Sequence, residues 1–443
     1  MTPALADLGA CFEGVVPSVI STLSTEGIPN ISYLSHVVRV DDRHIALSNQ
    51  FFSKTSSNLR AVPKATILLV DGRTGRQFRL EALFVRSETA GTVFERVATH
   101  LEASSAQVGM ASVMRLRAVD IFLVTAIAGI ASEQQDETLS ILPGCEPDFE
   151  ALARMTEGIA TAETLGDAIE AALAAILAAT ASDAASILLS DPLDDVLTLV
   201  GSRGYVRSGV GSEVPTGEGI AGLALCGGRA IRVNDLSRIR RFGAAIQSSA
   251  EDENLTRTIS LPGLDGVLSQ LAIPIRAQGR VLGVILAESR KRLAYLVPEE
   301  AIGVVLANVL GPAVALAEWA PTEARLGQRP APLRAPDRPV EMQHHAQDDS
   351  VFIEGDYIIK GVAGRLLLFL VQTYLTSGRL DFTNREVRLS EDMRLPGYRD
   401  NLETRLLLLQ RRLEERAAPI RITRPGRGQI CLELSGQVIL RRA

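Results

Sequence analysis

Between Ala320 and Asp349 the chain reads APTEARLGQRPAPLRAPDRPVEMQHHAQDD, proline-rich, polar and without hydrophobic periodicity. Such a segment has no apolar face to bury and reads as an extended linker. It sets the last part of the 443 residues apart from the rest, and a chain of that length exceeds one ordinary core in any case. Charge divides at the same place. Val351 to Ala443 carries 16 Arg and Lys against 11 Asp and Glu, a net +5, while everything before it is −11. A basic terminal module on an acidic body points to an anionic partner for that module.

A second boundary is expected near residue 145, where the apolar run Ile121 to Ile130 has ended and Pro143-Gly144 precedes an Ala-rich stretch. The expected organisation is therefore 1–145, 146–319, a linker at 320–349 and 350–443. No run approaches the roughly 18 apolar residues of a membrane span, and the first residues lack the basic and long apolar regions of a signal peptide, so a cytoplasmic protein is expected. Cys11, Cys145, Cys226 and Cys431 lie far apart with no metal-ligand spacing, which argues against a zinc site or a disulfide framework. No Ser/His/Asp grouping or paired carboxylates suggest a hydrolase.

From Val15 to Val70 short β-branched runs alternate with turn residues, as in hairpins. The loop FFSKTSSNLRAVPKA then separates two strands. Its hydroxyls, its lysine and the free N–H groups of a short helix could hold a phosphate dianion, or the Ser/Thr run could simply cap that helix. The order strand, turn, strand, Asn49-Gln50-Phe51-Phe52-Ser53-Lys54-Thr55, with Asn58-Leu59-Arg60 and Pro63 behind, resembles the pyridoxamine-phosphate-oxidase-like split barrels, which commonly bind flavin mononucleotide (FMN). The resemblance covers about residues 10 to 130. It implies that Ser53, Lys54 and Thr55 meet the phosphate of FMN, with Leu34, Ser35, Asn49 and Gln50 along the ring or ribitol and Asn58 a further residue of the site. His36 is the one imidazole on a pocket strand, with a structural role as the alternative.

Phe149 to Thr180 places Leu152, Met155, Ile159, Leu165, Ile169, Leu173 and Ile176 near helical spacing, as one helix or a pair. Strand patterns follow, and a final apolar helix runs from Glu299 to Trp319. Antiparallel strands framed by helices indicate an α+β domain. Gly217-Glu218-Gly219-Ile220-Ala221-Gly222, Arg232-Val233-Asn234-Asp235, Ser269 to Ile275 and Gly279 to Val284 resemble a GAF domain, which implies a small-molecule ligand or a dimerisation role. The glycines match a dinucleotide-binding spacing, but no parallel βαβ context surrounds them. Cys226 beside Arg229 is a candidate redox thiol if exposed and a buried apolar residue otherwise. The polar loop from Arg238 to Gly263 reads as a lid or as disorder. The two flanking helices suggest a parallel homodimer.

After the linker, VFIEGDYIIKG predicts strands, VAGRLLLFLVQTYLTSG a helix ended by Gly378, and IRITRPGRGQICLEL a hairpin. In between, Leu402, Leu406, Leu409 and Leu413 form one helical stripe. Asn401, Arg405 and Arg412 fall together on another face, the arrangement a helix laid in a major groove requires. ETRLLLLQRRLEE followed by IRITRPGRGQICLEL resembles the winged-helix effector domain of response regulators of the OmpR type. This implies a recognition helix from Tyr398 to Arg416 and a wing from Arg424 to Gly428, with Arg399, Asn401, Thr404, Arg405, Arg412, Arg424 and Arg427 on DNA. Leu407 and Leu408 lie outside the buried stripe and suggest a protein contact instead.

The expected fold class is α+β multidomain: an antiparallel split β-barrel, a GAF α/β sandwich with an antiparallel sheet, and a C-terminal winged helix. The expected function is a dimeric transcription regulator that senses a flavin, a redox state or a small ligand and binds DNA. A flavin-dependent oxidoreductase with regulatory modules is the alternative, and a scaffold of protein contacts a third.

Overall fold

The computed structural model describes residues 3–34, 36–49, 53–106, 116–130, 148–180, 182–191, 195–237, 259–319, 339–390, 393, 402–426 and 428–442. The predicted boundary near 145, most of the 238–263 loop and most of the linker lie outside them.

The first module opens with a 3-10 turn, Leu5–Glu13, and continues with β1 (Ser18–Leu23), β2 (Pro29–Leu34), β3 (Val37–Arg39), β4 (His44–Asn49), α1 (Ser53–Ala61), β5 (Lys64–Val70), β6 (Gln77–Glu88), α2 (Thr92–Ala106) and β7 (Ala118–Ile130). Seven strands form one sheet in the order β2-β1-β5-β6-β7-β4-β3, every pair antiparallel. Two bulges in the long β6–β7 pair, at Glu81/Ala82 and Phe84/Arg86, bend the sheet as bulges do. It curls around Ile20, Ile45, Leu47, Ile67, Leu69 and Phe122.

The middle module comprises α3 (Phe149–Ala160), α4 (Leu165–Ala179), β8 (Ala184–Asp191), β9 (Val196–Arg203), β10 (Glu213–Pro215), α5 (Gly219–Gly227), β11 (Ile231–Val233), β12 (Ser269–Ala277), β13 (Arg280–Ser289) and α6 (Val297–Trp319). The Ala-rich stretch is thus a helix pair. Asp148 and Thr164 cap the two helices, accepting from the backbone N–H of Ala151 and Asp167. The sheet order is β10-β9-β8-β13-β12-β11, again antiparallel throughout, so the dinucleotide reading of the glycines is excluded. α4 and α6 cover the sheet, with Ile169, Leu173, Ile176, Leu306 and Leu310 buried. Contrary to the expectation, α6 is long and apolar enough, by length and composition, to cross a membrane over Val297–Ala317; here it packs on β12 and α4.

The C-terminal module comprises β14 (Val340–His345), β15 (Ser350–Ile353), β16 (Asp356–Ile359), α7 (Gly361–Ser377), β17 (Asp381–Thr383), α8 (Asn384–Leu389), α9 (Leu402–Glu415), β18 (Ile420–Thr423), β19 (Gln429–Leu434) and β20 (Val438–Arg442). Its sheets run β16-β15-β14-β20 and β17-β19-β18. β14 corrects the linker boundary: Val340, Met342 and His344 are alternately buried, and the strand pairs in parallel with β20. The period of two was present in VEMQHH but was masked by its polar residues. Gly378 ends α7 with φ 71°, as predicted for a left-handed cap. The middle and C-terminal modules share one continuous hydrophobic cluster, while the barrel keeps its own. The linker therefore does not separate two independent cores.

Candidate functional site

In the barrel, β4 delivers the chain to α1, and the predicted phosphate residues spread to different places there. Thr55 is buried, its hydroxyl accepting from Asn30 Nδ2 at 3.0 Å and hydrogen-bonded to Ser32 Oγ at 2.9 Å. Asn58, also buried, donates to Thr22 Oγ1 at 3.2 Å. Asn49 Nδ2 donates to Ser56 Oγ at 3.1 Å and to Asp120 Oδ2 at 3.0 Å. Asp120 is buried, and burial pushes its carboxyl up against the opposing bonds from Ser87 and Asn49 and the charge of Arg60. Leu34 sits in the hydrophobic core, which corrects its placement along a flavin ring. Ser35, Gln50 and the Ser53 side chain fall outside the described residues. Lys54 is exposed at the start of α1. What this structure offers a phosphate is that lysine and the first N–H groups of the helix, with Thr55, Asn58 and Asn49 bracing the helix from behind. Asn30 and Ser32 were missed, although their alternation with Pro29, Ile31 and Tyr33 along β2 marks a polar face. His36 stacks near His100, ring centroids 5.8 Å apart.

In the middle module the sequence reading missed a buried polar cluster on the sheet. Glu288 on β13 and Gln270 on β12 are register partners, and Gln270 Nε2 donates to Glu288 Oε1 at 2.6 Å. Tyr205 and Ser186 complete the cluster through side-chain hydrogen bonds. Glu288 is buried, and its Oε2 has no hydrogen-bond partner among the described residues. Burial raises the pKa of Glu288, and burial with the nearby Glu288 charge raises that of Tyr205. The only signal in the sequence was a Glu at the end of an otherwise apolar strand. Among the glycines, Gly222 is a close-packing position, since a Cβ there would come within 2.8 Å of Gly217 N. Cys226 is exposed, but Arg229, expected beside it, pairs with Glu95 at 2.8 Å and donates to Thr92 O at 3.1 Å.

Arg232 and Asn234, read as part of the GAF pattern, face the barrel. Arg232 pairs with Glu13 at 3.1 Å and Glu300 at 2.6 Å; Asn234 Nδ2 donates to Glu13 Oε2 at 2.8 Å. Burial raises the pKa of Glu13 against the Arg232 charge and the Asn234 bond.

The C-terminal helix departs most from expectation. Arg412, predicted on DNA, is 2 % exposed; it donates to Ile358 O at 3.0 Å and pairs with Glu415 at 3.0 Å. The angular count along α9 was right, but the fold wraps β16 over that face. Arg405 points into a cavity of about 30 Å3 between the middle and C-terminal modules, lined also by Thr198, Glu213, Tyr357, Lys360 and Leu408. Burial lowers its pKa to about 10. Arg424 pairs with Glu403, and Thr404 is half-buried. Arg399, Asn401 and Arg427 lie outside the described residues. Leu408 is buried and Leu407 packs toward Gly166 of α4, an apolar contact within the chain. The solvent side of α9 carries Glu414.

A search of curated protein sequences finds no match to the chain. Among solved structures it is similar to the GAF domain of an Acinetobacter phosphoenolpyruvate-protein phosphotransferase, with 22% identity over 39% of this chain and 96% of that one and a TM-score of 0.33. It is similar to a free methionine-R-sulfoxide reductase from Neisseria meningitidis, with 19% identity, 37% and 86% coverage and a TM-score of 0.30. An FMN-binding protein from Syntrophomonas wolfei subsp. wolfei aligns with 16% identity, 28% and 86% coverage and a TM-score of 0.25. The family model for pyridoxamine 5'-phosphate oxidase matches residues 8–125, and that for the GAF domain matches residues 162–315. The chain thus joins a pyridoxamine-phosphate-oxidase-like domain to a GAF domain, and its C-terminal module lies beyond both matches.

Proposed function

We propose that this protein is a cytoplasmic, signal-responsive regulator in which the GAF domain takes a small ligand and the C-terminal module, a winged helix, binds DNA. The observation that carries the reading is the seating of α9 on the GAF domain, with Arg411 Nη1 donating to Val200 O at 2.8 Å. A ligand that distinguishes two arrangements of that contact changes the affinity of the attached module by its differential affinity for them. The element order supports the winged-helix assignment: two helices and a short strand, then α9, then the β18–β19 hairpin whose turn begins at Arg424. The module's net +5 supports an anionic partner. Glu288 supports a ligand that donates a hydrogen bond to its open Oε2. A homodimer through α3 and α6 is supported by Phe149, Val305 and Leu316, which are 73%, 40% and 64% exposed.

The test is fluorescence anisotropy of a pool of random-sequence duplex DNA over a salt series. Log affinity should fall linearly with log salt, the slope counting the phosphates neutralised. Absence of binding at low salt, both by the wild type and by Arg411→Ala, in which α9 loses its bond to Val200 O, overturns the reading.

The barrel is proposed to hold FMN, with Lys54 and the first N–H groups of α1 on its phosphate. When bound, FMN supplies a redox centre, which makes the regulator redox-responsive. An oxidoreductase is the second reading, favoured by the family match over the barrel. Flavin absorption of the purified protein, released on denaturation and weakened in Lys54→Ala, supports the cofactor. Substrate turnover by the bound flavin favours the enzyme, and a colourless protein overturns both flavin readings.

A further inference from the structure

Strand β9 breaks register with β8 once: Ile187 pairs with Gly201 and Leu188 with Leu199, leaving Val200 as the extra residue. A bulge leaves its extra residue out of the ladder, and the Val200 carbonyl is the one that accepts from Arg411. Arg411 Nη2 pairs with Glu170 of α4 at 2.8 Å, and the arginine side chain is 17% exposed. Two glycines make room for this contact. A Cβ on Gly201 would collide with Arg411 Nη1 and lie 2.8 Å from Ile169 Cγ2, and one on Gly166 would lie 3.3 Å from Leu407 Cδ1. The docked face of α9, with Arg405, Leu407, Leu408 and Arg411, is turned to the GAF domain, while Glu414 faces solvent and Glu415 is held by Arg412. A helix in this position presents acid outward and keeps two of its arginines in the seam. From the bulge, β9 runs directly on to Ser202 and the turn that carries Tyr205, whose hydroxyl belongs to the Glu288 cluster.

We propose that Arg411 is a latch that holds α9 against the β9 bulge, so that the basic face of the C-terminal module becomes available only when the latch opens, and that the Glu288 and Tyr205 cluster is the site whose rearrangement opens it. The part concerning DNA rests on the function proposed above. The shared length of β9 is the coupling element: a shift of Tyr205 moves a backbone whose bulged carbonyl is held by the neighbouring module.

The test uses the full chain with Arg411→Ala, Arg411→Lys and Glu288→Gln, each first checked for a native circular dichroism spectrum. Hydrogen exchange in α9 and β9 reports the seam, and anisotropy with random-sequence duplex DNA reports the released face. Arg411→Ala should speed exchange in α9 and raise DNA affinity about tenfold, within the usual range of coupling between sites. Arg411→Lys, which keeps the charge but cannot bridge Val200 and Glu170 together, should behave in the same direction. Glu288→Gln should alter exchange in α9 although it lies outside the seam; unchanged exchange there overturns the coupling. Unchanged α9 exchange in Arg411→Ala overturns the latch. Faster exchange with DNA affinity equal to wild type overturns the occlusion and leaves the DNA reading standing. Faster exchange with no DNA binding by any form overturns the DNA reading and the occlusion with it.

Discussion

The GAF domain is gripped on two sides by contacts of different chemistry. Toward the barrel, Arg232 lies between Glu13 and Glu300, its side chain 13% exposed and that of Glu13 7%. Arg73 adds a bond to Leu293 O at 2.6 Å. Toward the C-terminal module, one guanidinium enters a bulge and two leucines lie beside it. The first seam centres on a buried pair, Arg232 with Glu13; the second adds to a shared apolar core a guanidinium at a backbone irregularity and an exposed ion pair at its rim. Buried ion pairs are costly to break from one side, whereas a single arginine can be released without stranding several charges. The barrel seam thus joins two separate apolar cores through charge, whereas the C-terminal seam continues the GAF domain's apolar core and adds one arginine at a bulge.

The largest effect should come from the first seam. Arg232→Ala strands the buried Glu13 and removes the partner of the half-buried Glu300, and should cost about 3–5 kcal/mol in a denaturant titration; a cost under about 1 kcal/mol would erase the contrast between the seams. The same seam should also respond to acid. Burial first, then the charges of His36, Arg232 and Arg96, push His100 down to about 3 from its ordinary 6.5. A depressed folded-state pKa gives stability that is fully present above the unfolded value and is lost as pH falls toward the folded one. Each pH unit below about 6.5 should therefore cost up to ~1.4 kcal/mol, and His100→Gln should flatten that slope. Glu13 works in the opposite sense: its raised pKa gives stability present at low pH and lost as pH rises through the raised value. The His100 variant isolates the acid limb.

What was legible in the sequence follows from the range of the forces involved. Periodicity and caps are local, so the helix pair at 149–179, the Gly378 cap and the Leu402 to Leu413 stripe could be placed from their own neighbours. The destination of a polar side chain is set by distant segments. Arg412 and Arg405 lay on the predicted side of α9, but β16 and the GAF sheet, far away in the chain, cover them. Arg232 belonged to a motif that said nothing of Glu13. The barrel shows the same limit: SKTSSN fixed a helix start, whereas the burial of Thr55 depends on Asn30 and Ser32 of β2. Leu407 and Leu408 were the exception, because apolar residues outside a complete buried stripe require a second partner wherever it lies.

In the second seam, Arg411→Ala should cost about 1–3 kcal/mol, the penalty for a buried carbonyl left without its donor. Its denaturation midpoint should fall less than that of Arg232→Ala. The reverse ranking would make the C-terminal contact, not the barrel seam, the costlier one to break.

The smallest effect is expected at the rim of that same seam, where Lys360 and Glu213 pair at 3.2 Å with side chains 39% and 41% exposed. Water competes for both charges, so such a pair is worth about 0–1 kcal/mol and is screened by salt. Lys360→Ala should leave the denaturation midpoint within error at moderate salt, while Arg411→Ala, on the same interface, lowers it. Equal losses from the two would mean that the seam is held by summed charge rather than by the fit of one guanidinium to the bulge. A loss confined to Arg411, unchanged by added salt, identifies geometry at Val200 as what joins the modules.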